Sequence, residues 1–227
     1  MAQHFDLEEQ EQLDQLKHFW NRYGNAITWV LILALGSVAA WNGYNFWERR
    51  QAGLASAMYD EVERAAQAGD TTLLDKAFAD IKDQYGRTTY AAQAGMLAAR
   101  TFNEKGNGDA ARAALTWVSG NAKDEGYKAL ARLRLAALLM DTKAYDDALK
   151  VLAEPVPAAF NMLVADRKGD ILLLQGKRDE AKAEYLKAHA ALDPQSEYRQ
   201  VLEIKLTSLG VDTKTLNKPA GSQEAAK

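Results

Sequence analysis

The chain has 227 residues, 28 Lys and Arg against 31 Asp and Glu, and no cysteine. A near-neutral balance without a basic cluster leaves no electrostatic footprint for nucleic acid, and the absence of thiols excludes a disulfide framework, a cysteine nucleophile and cysteine metal sites. Proline is scarce, alanine is abundant and no strand-like alternation persists, so the chain reads as all-α.

Residues 1–22 are acidic: Asp6, Glu8, Glu9, Glu11 and Asp14 stand against Lys17 and Arg22, and Leu13, Leu16, Phe19 and Trp20 mark the apolar side of an expected helix. Residues 23–47, from Tyr23 to Trp47, carry no charge. A bilayer core of about 30 Å needs roughly 20 helical residues, so this run is read as a transmembrane helix in contact with membrane lipid. A cleaved signal would open on basic residues and close on a small-residue site. Here an acidic stretch comes first, and Trp41, Tyr44, Phe46 and Trp47 follow as an aromatic interface belt, with Trp20, Tyr23 and Trp29 at the other edge. Lys17 and Arg22 before the span, against Arg49, Arg50 and Arg64 after it, do not fix the orientation.

Residues 48–210 read as a helical-hairpin solenoid that opens on a helix over 51–68. Its clearest unit runs from Gly169 to Pro194 and resembles a tetratricopeptide repeat. Gly169 falls late in helix A, Gly176 at the turn, Ala181, Tyr185 and Ala188 along helix B, and Pro194 at the exit. Small residues at Gly169 and Ala181 let two antiparallel helices approach closely, and proline, lacking an amide donor, stops helix B. Ala77, Ala111 and Ala148 repeat the Ala181 position at steps of 34, 37 and 33 residues, with Ile81, Leu115 and Leu152 in the slot of Tyr185. These steps bracket the tetratricopeptide period of about 34. Ser196–Gly210 is expected to be a capping helix with Ser196 as N-cap and Val201, Leu202, Leu206 and Leu209 as its apolar stripe. Residues 211–227 are expected to be a disordered tail.

No catalytic constellation is found. His4, His18 and His189 lie too far apart in sequence and element to be expected to meet as ligands, and there is no metalloprotease, nucleophile-elbow or phosphate-cradling motif. No cofactor or metal is expected. Asp146–Asp147 and Asp179–Glu180 recur at the start of helix B, where negative charge complements the helix dipole.

The tetratricopeptide resemblance implies a concave groove lined by the second, fifth, ninth and twelfth positions of each unit. Counting back from the alanines, the second positions are Tyr59, Gln93, Leu130 and Leu163, and the fifth are Val62, Met96, Leu133 and Asp166. The ninth and twelfth add Arg100, Asn103, Ala137, Met140, Asp170 and Leu173. Such a groove is mostly apolar and suits a hydrophobic helix or extended segment of a partner; the alternative is that some of these side chains pack between repeats. On the groove reading, Leu133→Glu weakens partner capture without unfolding the domain.

The whole chain, and Glu8–Val62 above all, resembles the YfgM-type ancillary subunits of the bacterial SecYEG translocon. The resemblance rests on the acidic N-terminal helix, Trp20 with Tyr23-Gly24-Asn25 at the entry, a span ending in aromatic residues and Tyr59 soon after. It implies a non-enzymatic inner-membrane protein with a cytoplasmic N-terminus and a periplasmic tetratricopeptide-like domain. It also implies association with the SecYEG translocon and with a membrane-anchored periplasmic chaperone of the peptidyl-prolyl isomerase class, and transfer of unfolded secreted proteins to periplasmic chaperones. The alternatives are a scaffold or an oligomerising subunit of another membrane complex; Gly36, Ala40 and Gly43 are small residues suited to helix packing within the span.

Overall fold

The computed structural model describes residues 7–193 and 195–216, and all its regular structure there is helical. It divides into two units, Met1–Gln51 and Ala52–Lys227.

The described residues of the first unit, 7–51, lie within helix α1, Leu7–Ala68, which is long and apolar enough to cross a membrane. Within this unit Trp29, Leu31, Leu33, Leu35, Val38, Trp41, Phe46 and Trp47 are all exposed, as expected of a surface whose solvent is lipid. Two hydroxyls in the apolar run are satisfied by their own helix: Thr28 Oγ1 donates to the Gly24 carbonyl at 2.8 Å, and Ser37 Oγ to the Leu33 carbonyl at 2.7 Å. Upstream, Leu13, Leu16, Phe19 and Trp20 are exposed on the same helix.

The second unit is a stack of helical hairpins. Its A helices are residues 52–68 of α1, then α3 (Thr89–Glu104), α5 (Glu125–Asp141) and α7 (Asn161–Leu174). Its B helices are α2 (Thr71–Tyr85), α4 (Gly108–Asn121), α6 (Tyr145–Val151) and α8 (Arg178–Ala191); α9 (Tyr198–Ser208) and the short α10 (Thr213–Leu216) follow. Asp70, Thr88, Asn107 and Asp124 cap α2, α3, α4 and α5 through side-chain oxygens that accept backbone N–H bonds. Helix α6 is cut to 7 residues, ahead of Pro155 and Pro157.

The repeat alignment survives in the core. Ala77, Ala111, Ala148 and Ala181 are buried, as are Ile81, Leu115, Leu152 and Tyr185. At Gly169, a Cβ would lie 2.5 Å from the Tyr185 ring, so helices α7 and α8 meet at a distance only glycine permits. Gly95 plays the same part between α3 and its neighbours, where a Cβ would lie 2.4 Å from Val118 Cγ2.

Each A-to-B turn closes on a left-handed residue: Gly69, Gly106, Lys143 and Gly176. The hydrogen bonds repeat with it, as in Asn107 N–H to the Phe102 carbonyl (2.8 Å), Ala144 N–H to Leu139 (2.8 Å) and Lys177 N–H to Leu172 (2.9 Å). Lys143, with φ of 59°, is the one position of the four that is not glycine. A left-handed L-residue costs about 1–2 kcal/mol, so Lys143→Gly is expected to stabilise the domain by about 0.5–1 kcal/mol, read as a raised thermal midpoint.

Two expectations are corrected at the C-terminal end. Val201 is exposed, so the buried stripe of α9 is Leu202 and Leu206, flanked by half-buried Tyr198 and Leu209; the N-cap position falls on Glu197 rather than Ser196. Residues 211–216 depart from the expected tail: Val211 and Leu216 pack on the cluster around Leu202 and Leu206. Pro194 and residues 217–227 lie outside the described residues.

Candidate partner-binding surface

Successive A helices share a face on which aromatic residues meet. The Tyr59 and Tyr90 rings are 5.9 Å apart, and Gln93 Nε2 donates to Tyr127 Oη at 2.9 Å, tying α3 to α5. Burial, followed by the charge of Glu63 and the nearness of Tyr127, pushes the Tyr59 phenol above its ordinary value. The Phe160 ring stands beside Gly126, 3.7 Å from where a Cβ there would lie. Tyr59, Tyr90, Gln93, Tyr127, Leu130 and Phe160 are all half-buried and Leu163 is exposed, and none of them carries a charge at neutral pH.

The candidate groove residues separate into three groups. Tyr59, Leu130, Ala137, Met140 and Leu163 keep exposed surface on the A helices, while Arg100 and Asn103 are exposed, Arg100 with its Nε 2.7 Å from Glu104 Oε1. Val62, Met96 and Leu133 are core residues. Val62 also shifts register. The left-handed turn residue precedes the helix-B alanine by five residues in the last three units, but Gly69 precedes Ala77 by eight. Counted from the turns, Val62 aligns with Ala99, Ala136 and Gly169, all buried, and Tyr59 aligns with Met96, Leu133 and Asp166. Leu133, 9 % exposed, is therefore unsuited to a test of capture.

Asp166 and Asp170 form the third group. They stand one turn apart on α7, and both reach Lys205 of α9: Nζ lies 2.6 Å from Asp166 Oδ1 and 2.7 Å from Asp170 Oδ1. Tyr185 Oη donates to Asp170 Oδ1 at 2.7 Å, and Tyr198 Oη to Asp166 Oδ2 at 2.8 Å. Lys205 Nζ also lies 5.1 Å from the Tyr185 ring centroid, within cation–π range. These carboxylates hold α9 against α7.

Burial, then the Asp170 hydrogen bond, raises Tyr185 far above its ordinary 10.0; burial, then Asp166, raises Tyr198. Burial pulls the Lys205 ammonium down, but its bonds to Asp166 and Asp170 outweigh it and hold it above 10.5. A phenol kept neutral and an ammonium kept charged both lend stability that is complete below their unfolded values and is lost as pH rises through the folded ones. Thermal melting followed by circular dichroism should therefore show stability falling above about pH 10.

The sequence reading passed over Tyr90, Tyr127, Phe160, Tyr198 and Lys205. The first three carried a signal: each lies 21 residues before its unit's helix-B alanine, at Ala111, Ala148 and Ala181. Lys205 carried none, because a lysine on a capping helix reads as solvated. His18 is exposed on α1 and His189 is buried on α8, and the described residues hold no group of three potential metal ligands.

A family profile described as a tetratricopeptide repeat-like domain matches residues 17–211. Three curated relatives bear the name ancillary SecYEG translocon subunit. That of Neisseria gonorrhoeae is 34 % identical, over 92 % of this chain and 100 % of its own length. That of Haemophilus influenzae is 28 % identical, over 90 % and 99 %. That of Escherichia coli is 27 % identical, over 89 % and 97 %.

Proposed function

The chain belongs to the family of ancillary SecYEG translocon subunits with a tetratricopeptide repeat-like domain, and from that premise we propose that it is a non-enzymatic, membrane-anchored adaptor of the translocon. Residues 23–47 span the inner membrane, the N-terminus faces the cytoplasm, and residues 48–210 stand in the periplasm. There the repeat domain meets a membrane-anchored chaperone of the peptidyl-prolyl isomerase class, and emerging secreted proteins pass between them.

The observation that carries this reading is the row along the A helices that holds no acidic or basic residue: Tyr59, Tyr90, Tyr127, Leu130 and Leu163, with the amide of Gln93. Aromatic rings offer large contact area at little entropic cost, and the Gln93 and Tyr127 side chains offer polar atoms to an extended backbone. Anchoring compensates for weak contacts, since a short tether gives an effective concentration on the order of millimolar.

Leu163, at 39 % exposed, is the position for the test. A photo-crosslinking residue there, in cells, is expected to join translocon subunits or the chaperone, and one at exposed Asp83 on helix B is not. Leu163→Glu is expected to lower that crosslinking, read from Gln93, at least tenfold while leaving the thermal midpoint within about 2 °C, as for a surface change. Crosslinks only between copies of the chain would replace the adaptor with an oligomerising subunit. Orientation is read separately, from a cysteine at Ser222 and an impermeant thiol reagent on cells with a permeabilised outer membrane; labelling only after lysis would move the domain to the cytoplasm.

A further inference from the structure

We propose that Asp166, Asp170 and Tyr185 form an acceptor for a lysine-bearing amphipathic helix. In the free chain α9 fills it in cis, and a partner helix of the same pattern takes it by displacing α9.

The charge count is the first argument. Two carboxylates, Asp166 at 6 % exposed and Asp170 half-buried, converge on the single ammonium of Lys205. The pair is thus under-neutralised, and a helix with a lysine at this position and a second cation nearby satisfies it better than α9 does. The second argument is position. Met96 and Leu133 hold the place of Asp166 in the two preceding units, and exposed Arg100 and half-buried Ala137 hold the place of Asp170, so neither preceding unit sets a carboxylate at these places. A buried ion pair seldom stabilises more than apolar side chains of like volume, and its best attested use is to specify or switch a partner. The last junction therefore carries a polar address that stacking does not require.

The third argument is how few apolar side chains seat α9, which α8 also meets through Arg178 Nη2, donating to the Ser208 carbonyl at 3.1 Å, and through His189 Nε2, 3.6 Å from Glu203 Oε1. The 11 residues of α9 bury only Leu202 and Leu206 fully. Its outer side leaves Val201 40 % and Ile204 71 % exposed, whereas a terminal cap ordinarily turns a polar face to water. The pattern Leu202-x-x-Lys205-Leu206, with Tyr198 one turn ahead, is then the template for the displacing helix: two leucines for the pocket beside Ala165, Leu172 and Ala188, and a lysine between the carboxylates.

The test uses the full chain in detergent micelles and, as probe, a labelled synthetic peptide of residues 196–211, with binding read by fluorescence anisotropy. In wild type the tethered α9 outcompetes the peptide. In the Lys205→Met chain, which keeps the volume of the side chain, the peptide is expected to bind at least tenfold more tightly. Adding Asp166→Asn with Asp170→Asn to that chain, or replacing the lysine of the peptide by methionine, is expected to remove the gain. Circular dichroism and hydrogen exchange of α7 and α8 establish that the Lys205→Met chain is folded; Lys205→Ala serves as a second variant. A folded Lys205→Met or Lys205→Ala chain that binds no more tightly than wild type overturns the proposal. So does equal binding of the peptide without its lysine.

Discussion

Leu133→Glu is expected to unfold much of the repeat domain rather than weaken capture alone. Leu133 sits in the main core at 9 % exposed, on the same helix as buried Ala129, Ala131, Leu135, Ala136 and Leu139. Losing the leucine costs about 2–5 kcal/mol, and leaving a carboxylate without a partner adds to it, so a loss of about 4 kcal/mol or more is expected. That is a large part of the about 5–15 kcal/mol that holds a typical domain. Urea unfolding of wild type, Leu133→Glu and Leu133→Met would give the answer. A Leu133→Glu midpoint within experimental scatter of wild type would mean that the side chain has an open route to water.

Gly169→Val should come second. A Cβ there already falls 2.5 Å from the ring of Tyr185, itself 1 % exposed, and two further methyl groups enlarge the conflict. Overpacking a filled core costs typically about 1–3 kcal/mol, and a value near 3 is expected because the obstacle is a rigid ring whose hydroxyl is bound to Asp170. The measurement is a double-mutant cycle with Tyr185→Leu. If the ring is the obstacle, Tyr185→Leu with Gly169→Val loses clearly less than the sum of the single changes. Simple additivity would place the cost elsewhere.

Much of this architecture could be read from residue order. The span is legible because a lipid-facing helix must be apolar on every side, and 23–47 has no charge. The hairpins are legible because their close approach demands small residues, and Ala111, Ala148, Ala181 and Gly169 recur in step. The groove was harder. The expected fifth position faces the core even where the register is regular, at Met96 and Leu133, and in the first unit the longer stretch between Gly69 and Ala77 brings Val62 to the place of buried Ala99 and Ala136. Asp166 and Asp170 entered the expected groove by their place in the repeat count. Their partner lies 35 residues beyond Asp170 in sequence, on a helix whose docking no local pattern announces.

The apolar interior of the repeat domain is divided, and α7 stands at the division. Val164 and Ile171 belong to the cluster that begins at Val62, whereas Ala165 and Leu172 belong to the one completed by Leu202 and Leu206. Stacked repeats stabilise one another only through their neighbours, so two clusters on opposite sides of one helix need not melt together. The domain then has no single melting enthalpy. In a calorimeter the heat absorbed would exceed the van't Hoff value drawn from the shape of the main transition, because α8 to α10 give way first and the hairpins nearer the anchor follow.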